Sequence, residues 1–292
     1  MFFTIKDIEN LSGIKAHTIR IWEQRYSLIK PKRSDTNIRY YTNDDLKTIL
    51  NVALLNKCGY KISHIDKMSP ETIAENVLTL STSAAKDLLM VNQLLESMID
   101  FDVAVFENII DKNIAASGFE STVLKIIFPF LEKVGILWVT NHIHPAQEHL
   151  VSNVIRQKII AGIDKITVRP KSTRQVCLFL PEGEYHELAL LLVCYLLKKK
   201  GIRTIYLGAH TPFRELEAIT EHKDISHLYT HVTSASQGFN FEKFLLTLSK
   251  NFNKYLTIIS GRPTNSYTKK IPPKIIFKRS LSEVRDFIDS LE

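Results

Sequence analysis

Cysteine is scarce in this 292-residue chain: Cys58, Cys177 and Cys194 stand far apart, and no C-x-x-C pair occurs. That usage excludes a disulfide scaffold and a paired-cysteine zinc site, and it predicts buried free thiols in a reducing compartment. No apolar run approaches the roughly 20 residues that span a bilayer. Met1 leads directly into a helical pattern with no signal peptide before it. The expectation is a cytoplasmic protein without a membrane partner. Internal repeats and low-complexity tracts are also absent.

What is present is ordinary globular material, 45% hydrophobic and 24% charged, in a chain long enough for about two or three domains with buried cores. The charge is unevenly placed. Between Met1 and Lys67 lie twelve Lys and Arg against seven Asp and Glu, so +5 of the total +7 sits in the first quarter. A basic excess of that kind is the footprint of a domain that neutralises phosphates. The remainder is close to neutral, which directs its partners away from nucleic acid.

Residues 4–26 explain the charge. Ile5, Ile8 and Leu11 mark one short amphipathic helix, Ile14, Ile19 and Trp22 a second, and Ser12-Gly13 break them apart. Two short helices around a glycine turn form a helix-turn-helix, whose second helix lies in the major groove. Its outward side would carry Lys15, His17, Thr18, Arg20, Arg25 and Tyr26, with Trp22 in the core. Donors of this kind suit phosphates and purine edges. Pro31 and the polar run 34–37 then predict a hairpin or wing, and Arg39, Tyr40 and Tyr41 offer a cation and hydroxyls to a neighbouring phosphate.

The order helix, Ser-Gly, Thr18-Ile19-Arg20-Ile21-Trp22-Glu23-Gln24-Arg25-Tyr26, wing, Arg39-Tyr40-Tyr41 resembles the MerR family of bacterial transcription regulators. The resemblance covers about residues 2–70 and implies a winged helix-turn-helix with supporting helices at 44–57 and 63–68. It also implies double-stranded operator DNA as partner, read by a dimer or higher oligomer of the chain. RNA polymerase or a regulatory protein would be further partners.

Ser69-Pro70 begins a new helix, with the serine as N-cap. Helical spacing recurs at 88–95, 103–110, 123–137 and 150–163, with polar breaks at 113–118 and 141–145, which predicts an antiparallel bundle of about four helices. A short basic linker at 167–174 follows. Strands at 176–180, 204–207, 227–233, 257–259 and 275–277 then alternate with helices at 187–199, 212–220, 241–248 and 281–291. This alternation predicts a parallel, doubly wound α/β sheet. The fold class is therefore multidomain: an all-α winged helix-turn-helix (1–72), a four-helix bundle (73–168) and a Rossmann-like α/β domain (172–292).

Ligands bind such sheets at the carboxyl ends of strands. There the sequence places Glu184 and His186, Gly208, Ser234, and Gly261-Arg262. An acid two residues before a histidine can orient the imidazole as a metal ligand. This order resembles the cobalamin-binding Rossmann-like domain. The resemblance implies His186 as the lower cobalt ligand, Glu184 as its partner, and Ser234 and Gly261 lining the channel of the nucleotide tail. Trp138, then nine residues, then Glu148-His149 matches the Trp-x9-Glu-His pattern of the cobalamin-dependent, light-sensing branch of MerR proteins. In that branch the bundle caps the upper face of the cofactor, which implies Trp138, Glu148 and His149 as cap residues and adenosylcobalamin as the ligand.

Three positions depart from the pattern. Ala189 stands where the lower loop ends in glycine, Arg262 replaces the second glycine of the pair, and Val139 stands where light-sensing members carry a histidine. His142 and His144 beside Pro145 read as a solvated loop rather than a metal site. Two readings stay open. One is a DNA-binding regulator whose C-terminal half senses cobalamin and couples it to oligomer state and operator affinity. The other keeps the DNA reader with a cobalamin-free module for oligomerisation or for binding a protein or another small molecule. No substrate-activating domain is present, so an enzyme is not expected.

Overall fold

The structure, a computed structural model, describes residues 2–139, 143–170, 172–233 and 239–291. The chain packs as two units, Met1–Val154 and Ile155–Glu292. In the first, α1 (Ile5–Ser12) starts at a capping box, in which the Thr4 hydroxyl accepts the Asp7 amide and the Asp7 carboxylate takes the Thr4 amide. Gly13 ends α1 at φ +75°, a left-handed cap that glycine adopts without strain. α2 (Ala16–Arg25) follows and buries Ile19 and Trp22. Two short antiparallel strands, β1 (Lys32–Arg33) and β2 (Arg39–Tyr40), form the wing.

A second capping box, Thr42 with Asp45, opens α3 (Asn43–Lys57). α4 (Ile62–Ile65) and α5 (Pro70–Leu78) follow, the latter with Ser69 as N-cap and Pro70 at its first position. The bundle comprises α6 (Ser83–Ile99), α7 (Val103–Ser117), α8 (Phe119–Thr122), α9 (Phe128–Val139) and α10 (Pro145–Asp164). α1 packs on α9, and α3 packs on both α5 and α6. The winged domain and these helices are therefore packed against each other within the first unit.

Two local expectations are corrected. The polar break at 113–118 is shorter than its composition suggested: α7 runs through Ser117, and the chain turns only at Gly118, φ +82°. Cys58 is exposed at the C-cap of α3, whereas Cys177 and Cys194 are buried. Between α8 and α9 one π-helical stretch, Val123–Ile127, re-registers the helix just before Pro129, which has no N–H to give.

The second unit alternates β3 (Gln175–Pro181), α11 (Leu188–Lys199), β4 (Arg203–Thr211), α12 (Phe213–His222) and β5 (His227–His231). It continues with α13 (Phe241–Asn251), β6 (Leu256–Ser260), α14 (Arg262–Ser266), β7 (Ile275–Lys278) and α15 (Leu281–Asp289). The five strands are all parallel, in the order β4-β3-β5-β6-β7. β3 is buried from Val176 to Pro181, as a strand covered on both faces must be. One face holds a core that includes Phe179, Leu216, Leu228, Leu245 and Ile259. The strand order reverses at β3, so the crevice between the ends of β3 and β5 is the switch point at which open α/β sheets take ligands. Among the described residues no helix is long and apolar enough to cross a membrane.

Candidate functional site

On α2, Ile19 and Trp22 face the core, while His17, Arg20, Gln24 and Arg25 are exposed. His17, Arg20 and Gln24 stand at helical spacing on one outward side. Gln24 was absent from the sequence-based set, although an exposed glutamine on that side has the two-headed amide that pairs with adenine. Thr18 and Tyr26 are half-buried, and Lys15 is exposed beside Glu9, with Nζ 3.3 Å from the carboxylate. Lys6 meets the same carboxylate at 3.3 Å, and these two lysines hold Glu9 below the usual carboxylate range.

Glu23 ties α2 to the wing. Its carboxylate accepts the Tyr41 hydroxyl and lies 3.5 Å from Arg39 Nε. Tyr41 is thereby corrected: it is fully buried, and burial together with Glu23 raises its pKa, so its hydroxyl fastens the wing internally instead of reaching a phosphate. Arg39 and Tyr40 are half-buried, and Tyr40 meets Phe2 edge-on at 4.5 Å. At the wing tip Asn37 adopts φ +61° and accepts Arg33 Nη1 at 2.7 Å, which orders the hairpin loop.

In the second unit the loop after β3 carries the other cluster. Glu184 is 0% exposed. One carboxylate oxygen meets His186 Nδ1 at 2.5 Å and the amides of Tyr185 and His186 at 3.0 and 3.1 Å. The other accepts the Thr233 amide at 2.8 Å, across the switch point from the end of β5. Burial alone would raise the carboxyl, but the His186 side chain and amide and the Thr233 amide outweigh it and hold Glu184 at about 2. The His186 side chain remains 55% exposed, with Nδ1 turned to the carboxylate.

His210, which the sequence reading did not single out, shapes this loop. It sits at φ +51°, its amide donates to the Glu184 carbonyl, and its Nδ1 accepts the Gly183 amide at 3.0 Å. Tyr185 stacks on its ring at 5.3 Å and bonds the same nitrogen. Nearby, Glu187 pairs with Arg156 at 2.7 Å and accepts the Tyr206 hydroxyl at 3.2 Å. Gly208 lies beneath it at φ +83°, where an added Cβ would stand 3.0 Å from the Glu187 carboxylate.

Gly261 has a different reason to be glycine. An added Cβ would fall 2.1 Å from the Val232 carbonyl oxygen, so the chain after β6 runs in backbone contact with the end of β5. Ser234 lies outside the described residues. Close by, the Ser260 hydroxyl joins Tyr229 at 2.7 Å and His231 Nδ1 at 2.8 Å, a buried polar row between the ends of β5 and β6. Arg262 is exposed at the start of α14, and Ala189 is half-buried in the first turn of α11.

The expected cap residues flank one stretch of the first unit. Trp138, in the last turn of α9, is 47% exposed, an unusual state for so large an apolar ring. Glu148 and His149 occupy the first turn of α10, 3.3 Å apart, and the Ser152 hydroxyl donates to Glu148. Gln147 beside them is buried and donates to the carbonyls of Met98 and Ile99, anchoring the start of α10 to the end of α6. His144 accepts the Ala146 amide at its Nδ1, a capping role, while His142 lies outside the described residues.

Two family models match stretches of the chain. Residues 3–72 match the MerR HTH family regulatory protein, and residues 90–161 match the B12 binding domain. The chain is 29% identical over 227 residues to the HTH-type transcriptional repressor CarA of Myxococcus xanthus, covering 74% of this chain and 72% of that one. It is 26% identical over 220 residues to the repressor CarH of the same organism, covering 73% of each. Among solved structures the monomethylamine corrinoid protein of Methanosarcina barkeri superposes with a TM-score of 0.58 at 14% identity. That match covers 70% of this chain and all of the other, and it shows the shared fold.

Proposed function

We infer that this chain is a MerR-type transcription regulator that binds operator DNA through its winged helix-turn-helix and senses a cobalamin through its C-terminal half. The observation that carries the sensing reading is the donor set at the switch point. An imidazole oriented through one nitrogen by a buried, ionised carboxylate, with much of its ring exposed, has the chemistry of a lower cobalt ligand. His186 would ligate the cobalt through Nε2, and Glu184 would hold the ring. Gly208, at the irregularity in the last part of β4, and Gly261, just after β6, would line the same crevice, and Ser234 would join them. Trp138, Glu148 and His149 would serve the upper face, the indole by stacking and the carboxylate and imidazole by hydrogen bonds. The exposed Trp138 supports that role. A bound cobalamin would supply a cobalt centre whose upper ligand, adenosyl in our reading, can change. Everything else is differential binding by this chain.

The reader contacts we propose are Lys15, His17, Thr18, Arg20, Gln24 and Arg25 on and before α2, with Tyr26, Arg39 and Tyr40 at its end and on the wing. Two copies reading a pseudo-palindrome would give the affinity that one small module lacks. Ligand state would then bias oligomer state and operator affinity together. This is a cytoplasmic regulator and not an enzyme.

One observation favours a second reading, a cobalamin-free interaction module. Tyr229, Ser260 and His231 fill the interior between the ends of β5 and β6, and Gly261 abuts Val232, beside the expected tail channel. One measurement separates the two. The protein is incubated in the dark with adenosylcobalamin, desalted, and its visible spectrum recorded next to that of His186→Ala. Retained colour with an imidazole-ligated spectrum that the variant alters supports sensing. A colourless wild type leaves the interaction module.

A further inference from the structure

Lys133 lies on α9 and turns inward. Its Nζ donates to the Leu11 carbonyl at 2.7 Å and lies 3.4 Å from Asn92 Oδ1, a buried side chain of α6. Leu11 is in the last turn of α1, where helix carbonyls run out of intrahelical partners and the helix dipole is negative. The ammonium therefore completes the C-terminus of α1. Two residues later Gly13 makes the left-handed turn that sets the direction of α2, the recognition helix. Burial, with Lys57 nearby, draws the Lys133 ammonium down to about 8, so the contact is held against a desolvation cost.

The same helix carries Trp138 in its last turn. A helix is a stiff rod, and five residues separate the two side chains by about 7.5 Å along it. α1 packs directly on α9, so a shift or rotation of α9 must carry the α1 terminus with it or break the bond to Leu11. A bond from a half-buried cation to a backbone carbonyl is either made or broken as the two helices move, which suits a two-position contact.

We propose that Lys133 is the positioning residue that links the cap to the recognition helix: it transmits the placement of α9, set at Trp138 by the ligand state, to the turn between α1 and α2. The proposal rests on the cobalamin-sensing reading above. It makes Lys133 an element of coupling, distinct from residues that touch either DNA or cofactor.

The test uses the full chain and a duplex selected from a random-sequence pool by the wild-type protein. Operator affinity is measured with and without adenosylcobalamin in the dark, for wild type, Lys133→Met and Lys133→Arg. Cobalamin uptake is followed by visible absorbance and folding by thermal melting. In Lys133→Met the cofactor should load with an unchanged spectrum, while the ratio of the two operator affinities falls to within about twofold of unity. Lys133→Arg, which keeps a cationic donor, should restore most of the ratio. If Lys133→Met weakens both affinities equally and preserves the ratio, the residue is merely structural and the proposal is overturned. A wild-type ratio of one overturns the sensing reading itself, and the coupling with it. Should Lys133→Met fail to fold, Asn92→Ala carries the test: it removes one of the two oxygens around the ammonium, and an unchanged ratio overturns the proposal.

Discussion

The Glu184 carboxylate accepts the Thr233 amide at 2.8 Å while its other oxygen holds His186, so one buried acid fastens the two loops on either side of the switch point. Replacing it with glutamine keeps the size and removes the charge. With its oxygen on the Thr233 amide, the new side chain can only donate to His186 Nδ1 through its NH₂, which forces the imidazole proton onto Nε2, the nitrogen that would ligate. Glu184→Gln should lower cobalamin affinity by about 10–100-fold, the usual cost of losing the group that orients a ligating histidine. The bound spectrum should shift away from the imidazole-ligated form. Titration of the dark protein with cobalamin checks this, and an unchanged affinity would show that Glu184 serves the fold alone.

Glu23 has a comparable role in the reader, where the Tyr41 hydroxyl and Arg39 converge on it. Glu23→Ala leaves a buried hydroxyl without its acceptor, at a cost of about 1–3 kcal/mol. Operator affinity should fall with it, yet the salt slope should stay the same, since Glu23 neutralises no phosphate. Adding Tyr41→Phe should recover most of the stability, because both members of the pair are then gone. Urea melts of the single and double variants decide the matter. A double variant no more stable than Glu23→Ala would remove Tyr41 from the explanation.

Much of this was legible in the sequence because the signals were local. Ser12-Gly13, the Ser69 cap before Pro70, the 3.6-residue spacing and the β/α alternation each depend on a few neighbouring residues, and the elements lie within a few positions of where they were expected. The partners of those elements were not local. Thr233 contributes only an amide, which has no side-chain signature, and the residue the pattern pointed to there was Ser234. His210 acts through a positive φ and a ring nitrogen 27 positions from Gly183. Tyr41 carries the same composition cue as Tyr40, and only the fold decides which of two adjacent tyrosines turns inward.

Gly261, expected from the resemblance to line the tail channel, has in the fold itself a reason to be glycine. At φ +106°, with the Val232 carbonyl oxygen 2.1 Å from where a Cβ would stand, alanine demands movement of backbone against backbone. Gly261→Ala should destabilise the C-terminal unit by more than about 3 kcal/mol, with or without cobalamin. Thermal melts in both states check it. A variant as stable as wild type, but poor in cobalamin uptake, would show that the glycine is there for the ligand.

His231 makes the C-terminal unit sensitive to acid. Its Nδ1 bonds Ser260 inside the polar row, and burial pulls its pKa from the ordinary 6.5 to about 4, against a smaller opposing pull from Glu184. Between those two values the unfolded chain binds a proton that the folded chain refuses. Stability is therefore full above about pH 6.5 and is lost as the pH falls toward 4, by up to about 1.4 kcal/mol per pH unit for one proton. Other groups add their own acid dependence, so the difference from a variant is what isolates this one. His231→Gln keeps a polar partner for Ser260 and cannot take up the proton. Its urea-unfolding stability should fall less steeply than that of wild type between pH 6.5 and 4.5, with the two curves parallel from pH 7 to 8. Parallel curves throughout would mean that His231 is protonated at no cost, and that the row between β5 and β6 opens to water more readily than its burial implies.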